Sequence, residues 1–89
     1  MEGAFDLMHY GHMNAFRLGA SLGTHLIVGV NSAQTIEECK GTAPVMSDAE
    51  RCDAVRGCRF VKEVVERTPY VMTPEYLKWI MDTYEVDYA

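Results

Sequence analysis

Reading from the amino end, apolar residues recur first at helical and then at strand spacing, and the changes of period mark out the elements. Met13, Phe16, Leu18 and Leu22 follow a His9-Tyr10-Gly11-His12 turn at near-helical intervals. This predicts a helix running through Ser21 with the second histidine in its opening turn. Gly23 stands where a helix commonly ends on a left-handed residue. His25 to Asn31 holds an uninterrupted Leu-Ile-Val-Gly-Val run, the pattern of a strand buried on both faces of a parallel sheet. Residues 32–46 have no clear period and contain Lys40-Gly41 and Pro44, which predicts a short helical turn and then a loop.

The second half repeats the alternation. Ser47-Asp48-Ala49-Glu50 is a capping box, in which the serine bonds the amide three residues on and the glutamate reaches back. A helix from about Asp48 to Cys58 is expected to place Cys52, Val55 and Cys58 on one face and Arg51 on another. Phe60 to Val65 reads as a strand. Thr73-Pro74 supplies a cap and a first-turn proline for a helix through about Tyr84, on which Tyr76 and Trp79 are expected to pack into the core. Val86 to Ala89 has the composition of a further strand. Alternating strands and helices predict an α/β fold, a doubly wound parallel sheet of Rossmann-like type, with ligands at the carboxyl ends of the strands.

Composition narrows the function classes. At 89 residues the chain is one small domain at most, near the size at which a single core is marginal, so further polypeptide or a partner is expected to complete it. No apolar run approaches the ~20 residues of a membrane span, and the amino end lacks the basic-then-apolar shape of a signal peptide. Three cysteines without a C-x-x-C pair, Cys39, Cys52 and Cys58, suggest reduced thiols and a cytoplasmic location. The formal net charge of -5 argues against a nucleic-acid surface but leaves room for a nucleotide held by a few local cations.

The imidazoles gather in one turn, and the candidate cations follow it along the chain. A glycine between two histidines at a loop-to-helix junction permits close backbone approach to a ligand, and the helix's free amides favour an anion. Two histidines three residues apart also suit a metal pair, but no third ligand is evident. Lys40 beside Gly41 is a flexible point charge fit to reach a phosphate from a mobile loop, although a solvated lysine is the default reading. Arg51 and Arg59 offer guanidinium forks that match phosphate. Asp6 near bound phosphate needs another duty, either pairing with a substrate ammonium or shaping the loop through an amide. Tyr70, after Pro69, has an aromatic face for a cationic head group, with core packing equally open to it. Gly29 inside the buried strand permits close approach of nucleotide or helix, or serves packing alone.

The His9-Tyr10-Gly11-His12 turn resembles the HxGH signature of the nucleotidyltransferase superfamily. The longer string GAFDLMHYGHMNAFRLGASLGTHLIVGVN is similar to the cytidylyltransferase branch that makes CDP-alcohols. The resemblance covers nearly the whole chain and implies that residues 1–89 are the N-terminal portion of a catalytic domain. By it, the family's first strand is expected just before Glu2, and two further phosphate-binding segments after Ala89, so these residues alone are expected to have little or no turnover.

The same resemblance implies roles. His9 and His12 would contact the phosphates of CTP, His12 most directly at the transition state, with Gly3, Phe5 and Gly11 shaping the nucleotide site. Lys40 would neutralise phosphate, Arg51 would hold the phosphorylated substrate with Asp6 and Tyr70, and Arg59 with the following residues would contribute to a dimer contact. Thr68-Pro69-Tyr70 looks more like the ethanolamine-specific members than the Pro-Trp of the choline-specific ones. That implies phosphoethanolamine as acceptor and phospholipid synthesis as the setting, with Mg²⁺ carried by the nucleotide and a homodimer or tandem-domain pairing. Choline-phosphate or glycerol-phosphate turnover, or a catalytically silent nucleotide-binding copy of the domain, are the alternatives. A location peripheral to the endoplasmic reticulum follows from the same setting.

Overall fold

The computed structural model describes residues 1–23, 25–69 and 73–84, in the order β1 (Glu2–Gly3), α1 (Tyr10–Ala20), β2 (Ile27–Asn31), α2 (Ala33–Lys40), α3 (Asp48–Arg56), β3 (Glu63–Thr68) and α4 (Pro74–Tyr84). The strands form one parallel sheet in the order β1-β2-β3. The expected α/β architecture is present, and this sequential strand order is one wing of a doubly wound sheet. Part of the first strand, expected wholly before Glu2, lies inside the chain. Glu2 and Gly3 pair with Gly29 and Val30, and the Met1 carbonyl accepts the Gly29 amide at 2.8 Å.

One apolar layer holds the elements together. Val28 and Val30, two apart and so on one face of β2, are fully buried with Phe16 of α1 and Cys52 and Val55 of α3. Both helices therefore cover the same side of the sheet. Burying each of these larger side chains contributes about 1.5–3 kcal/mol. Leu26 and Cys58 close the edges of the cluster, and Phe60 and Val61 pack against it from a turn rather than from a strand. That turn delays β3, expected from Phe60, until Glu63, where pairing with Ile27 begins.

The helix ends follow the capping chemistry, with two differences. Ser47 and Glu50 form the expected capping box, and Thr73 Oγ1 accepts the Tyr76 amide at 3.2 Å. The α1 cap is Ser21 in right-handed conformation, so Gly23 does not end that helix. The left-handed glycine is Gly41, φ 83°, which closes α2 by donating its amide to the Glu37 carbonyl at 2.8 Å. Residues 33–40 are thus a capped helix rather than a single turn. Trp79, expected in the core, is half exposed, and α4 buries no residue fully. Its aromatic rings pack on one another instead, Tyr76 against Trp79 at 5.6 Å between centroids. The strand expected at 86–89 and Tyr70 lie outside the described residues.

A bulge near the end of β3 sets the geometry of the opposite face. Gly29 pairs with Val65, whereas Asn31, two residues on, pairs with Thr68, three residues on. The extra residue is absorbed at Arg67, which has a left-handed φ of 57°. Thr68 is thereby turned onto β2, where a Cβ on Gly29 would stand 2.8 Å from its methyl. Strand packing, rather than a nucleotide, occupies the room that Gly29 leaves. Gly29→Ala is expected to destabilise the fold by about 1–3 kcal/mol. Adding Thr68→Ser, which removes the opposing methyl, should restore much of that loss in urea unfolding.

Candidate functional site

The loop from Ala4 to His9 leaves the carboxyl end of β1 and enters α1. Its conformation is tight: Phe5 and Leu7 both have left-handed φ, 52° and 48°, which non-glycine residues adopt at a cost of about 1–3 kcal/mol. Packing offsets it at Phe5, whose buried ring lies against Phe16, 5.0 Å between centroids, and edge-on to His12 at 5.9 Å. Gly3 makes room for that ring, since a Cβ there would meet it at 3.1 Å. Gly3 and Phe5 thus form the floor of the turn.

His9 and His12 cap α1 reciprocally. His9 Nδ1 accepts the Gly11 amide at 2.9 Å, and His12 Nδ1 accepts the His9 amide at 3.1 Å. With Nδ1 occupied as an acceptor, each neutral ring carries its proton on Nε2 and keeps that N–H for an external acceptor. The rings lie 4.3 Å apart between centroids, at the positive end of the helix dipole. Gly11 leaves room for the first ring, since a Cβ there would stand 2.7 Å from His9 Cε1. Partial burial, and then the neighbouring His9, lower the His12 pKa and favour its uncharged form.

Asp6 has a defined structural duty. Its Oδ2 accepts the Val45 amide at 2.7 Å and its Oδ1 the Met46 amide at 2.9 Å, while the Leu7 amide donates to Met46 Sδ at 3.2 Å. The loop preceding α3 is thereby fastened to the histidine turn. Those amides, Met46 first and Val45 next, with a smaller attraction from Arg51, hold the Asp6 carboxyl below the usual carboxylate range. Lys40, expected on a mobile loop, is the exposed last residue of α2, at the other end of the segment that Asp6 fastens.

Arg51 departs furthest from expectation. The sequence places it on a separate face of α3 and the family resemblance implies direct substrate contact, yet it has no exposed surface. Its guanidinium donates to the carbonyls of Ala4 at 3.0 Å, Asn31 at 2.6 Å and Met46 at 3.2 Å, and pairs with Asp48. Internal carbonyls therefore take the place of a phosphate as its acceptors. Arg59 is exposed, its guanidinium 4.9 Å from the Phe60 ring centroid. Asn31 and Thr68 were not singled out from sequence. Both are buried, and Asn31 Nδ2 donates to Thr68 Oγ1 at 3.0 Å and to the Pro69 carbonyl at 3.1 Å. A polar residue ending an otherwise apolar strand was the available signal. Among the described residues, no group of three His, Cys, Asp or Glu side chains is placed to hold a metal ion.

The family model described as Cytidylyltransferase-like matches residues 1–87. The chain belongs to the cytidylyltransferase-like family. This cytidylyltransferase-like chain is 49% identical over 77 residues to ethanolamine-phosphate cytidylyltransferase of Dictyostelium discoideum, covering 86% of the chain and 21% of that protein. It is 43% identical over 88 residues to the Arabidopsis thaliana protein of the same name, covering 99% of the chain and 21% of the relative. Choline-phosphate cytidylyltransferase A of Rattus norvegicus is 46% identical over 78 residues, which are 85% of the chain and 21% of that protein. The chain thus spans about a fifth of the length of these relatives. In fold it is similar to the lipopolysaccharide core biosynthesis protein from Thermoplasma volcanium GSS1, with a TM-score of 0.72 at 19% identity, covering 99% of this chain and 75% of the other.

In this cytidylyltransferase-like chain the Asp6 clamp on Val45 and Met46 has a pH signature. Because the Asp6 carboxyl is depressed in the fold, its contribution is present above the ordinary carboxylate range and is lost only as pH falls through the lowered value. The amide proton shifts of Val45 and Met46 are expected to titrate together, below the pH of an ordinary aspartate. In Asp6→Asn, which leaves one carbonyl oxygen for two amides, hydrogen exchange at 41–46 should quicken while β2 stays protected.

Proposed function

We propose that the protein transfers a cytidylyl group from CTP to phosphoethanolamine, releasing CDP-ethanolamine and pyrophosphate for phospholipid synthesis. The observation that carries this reading is the reciprocal histidine cap, which leaves two Nε2–H donors side by side at a helix N-terminus. An oxygen of the phosphorylated alcohol attacks the α-phosphorus, the new O–P bond forms, and the bond to the β-phosphate oxygen breaks as pyrophosphate leaves. Such a displacement needs alignment and neutralisation of developing charge rather than a covalent intermediate. His12 and His9 donate to the phosphate oxygens, and Lys40 neutralises from the end of α2.

Several features support the acceptor. Both Asp6 oxygens have lone pairs beyond those engaged by Val45 and Met46, so the fixed anion is able to receive a primary ammonium as well. In sequence, Thr68-Pro69-Tyr70 offers a hydroxyl-bearing aromatic suited to a primary ammonium. The relatives' identities do not separate ethanolamine from choline, so the acceptor rests on these residues. Arg51 holds the carbonyls of Ala4, Asn31 and Met46 together beside Asp6. The donors at the turn are nitrogen groups suited to anions rather than to Mg²⁺, which prefers oxygen and would arrive with the triphosphate. The exposed Arg59 and its stacked Phe60 support a dimer or tandem pairing through that block. No described helix is long and apolar enough to cross a membrane. A role in phospholipid synthesis supports a cytoplasmic location, peripheral to the endoplasmic reticulum.

The test is turnover by the intact protein. His12→Ala and His9→Ala should each lower kcat for CDP-ethanolamine formation by about 10²–10³-fold. The wild type should prefer phosphoethanolamine over phosphocholine and glycerol phosphate, and unchanged turnover in both histidine variants would refute the reading. The lowered His12 pKa adds a second check. Charging His12 would put a proton on the Nδ1 that accepts the His9 amide and break the cap, so kcat and CTP affinity should both fall on the acid side of neutrality, and a pH profile measures it. The same depressed value means that His12 contributes stability at neutral pH that is lost on acidification.

A further inference from the structure

We propose that Arg51 is a positioning residue for nucleotidyl transfer: buried beneath the carboxyl ends of the strands, its guanidinium fixes the spacing of the segments that carry the reacting groups. The role deepens the cytidylyl-transfer reading and rests on it.

Each acceptor belongs to a different segment. The Ala4 carbonyl precedes the Phe5-Asp6 loop that leads to His9, the Asn31 carbonyl ends β2, and the Met46 carbonyl ends the segment that Asp6 fastens. The fourth partner, Asp48, also accepts the Ala33 amide at 2.8 Å, tying in the start of α2, whose last residue is Lys40. Asn31 extends the connection, since its side chain holds Thr68 and Pro69, the two residues before Tyr70. One planar cation thus joins the segments leading to His9, Lys40 and Tyr70, and no described side-chain nitrogen or oxygen in the buried network lacks a partner.

The chemistry explains why arginine stands here. A guanidinium presents five N–H groups in a rigid plane and bonds acceptors on several sides at fixed angles. An ammonium concentrates its donors on one atom at the end of a flexible stem and cannot span the carbonyls of Ala4, Asn31 and Met46 together. In-line displacement is sensitive to such spacing, a misplacement of ~1 Å costing on the order of 10²-fold in rate. With no exposed surface, the side chain acts through its neighbours rather than on the substrate.

The test compares Arg51→Lys and Arg51→Met in the intact protein with Val55→Ala, a core substitution that lowers stability without touching this network. Both arginine variants are expected to lose roughly 10- to 100-fold in kcat, more than Val55→Ala at the same fraction of its own melting temperature. Hydrogen exchange should quicken at residues 4–9 and 41–47 while 28–30 stays protected. A near-normal kcat in Arg51→Lys with only a raised KM for phosphoethanolamine would instead make Arg51 a direct charge contact and overturn the proposal. Losses reproduced by Val55→Ala, or exchange that rises uniformly or stays unchanged, would overturn it too. His12→Ala run alongside separates the two readings: full turnover in that variant refutes cytidylyl transfer, while the exchange pattern still decides whether Arg51 holds the segments.

Discussion

A buried arginine is tolerated only when its charge is matched and its donors find acceptors, and Arg51 meets both demands by drawing the ends of β1 and β2 to the segment that leads into its own helix. In a parallel sheet, successive strands deliver their loops to the same end, but the ladder hydrogen bonds stop where the loops begin. The guanidinium takes over at that boundary. It bonds the carbonyls of Ala4 and Asn31 where β1 and β2 have ended, and that of Met46 just before α3 begins. The polar cluster lies beside the apolar layer of Phe16, Val28, Val30 and Val55, so the face that gives stability and the end that gives geometry share α3.

The histidine turn depends on that scaffold and adds its own economy. In most helices a serine or aspartate caps the first turn. Here two imidazoles take the role, each giving its Nδ1 lone pair to a backbone amide, so the groups that stabilise the helix start are the groups left with a free donor. Fixing the tautomer this way orients the remaining N–H without a second layer of side chains. Gly11 and Gly3 are then explained by the rings they accommodate, those of His9 and Phe5. Asp6 completes the arrangement by binding two amides of a segment about forty residues away in sequence.

Much of this was legible in the residues, for reasons that are local. The capping box at Ser47 and the threonine cap at Thr73 lie within one helical turn, and the β2 run is uninterrupted, so propensity and period suffice. The His-x-Gly-His turn was recognisable because its parts are contiguous. Sequence pattern and structure part where a residue's neighbours are distant. Phe60 and Val61 look like strand residues and are apolar because they pack on the core from a turn. Gly23 and Gly41 both look like helix ends, and only one of them adopts the left-handed conformation. Trp79 has the composition of a core residue, but no described element covers it.

By itself the sequence determined the α/β alternation, the parallel sheet, the histidine turn and the family, because each depends on residues within a few positions of one another. Tertiary structure alone decided what Arg51, Asp6, Asn31 and Thr68 do. An arginine's charge is visible in a sequence, but whether it faces a phosphate or three backbone carbonyls depends on where distant segments end. The left-handed residue at Arg67 that turns Thr68 onto Gly29 is likewise set by pairing between strands rather than by its own preference. Contacts across the carboxyl edge of a sheet join residues from about twenty to forty-seven positions apart, and no local period encodes them.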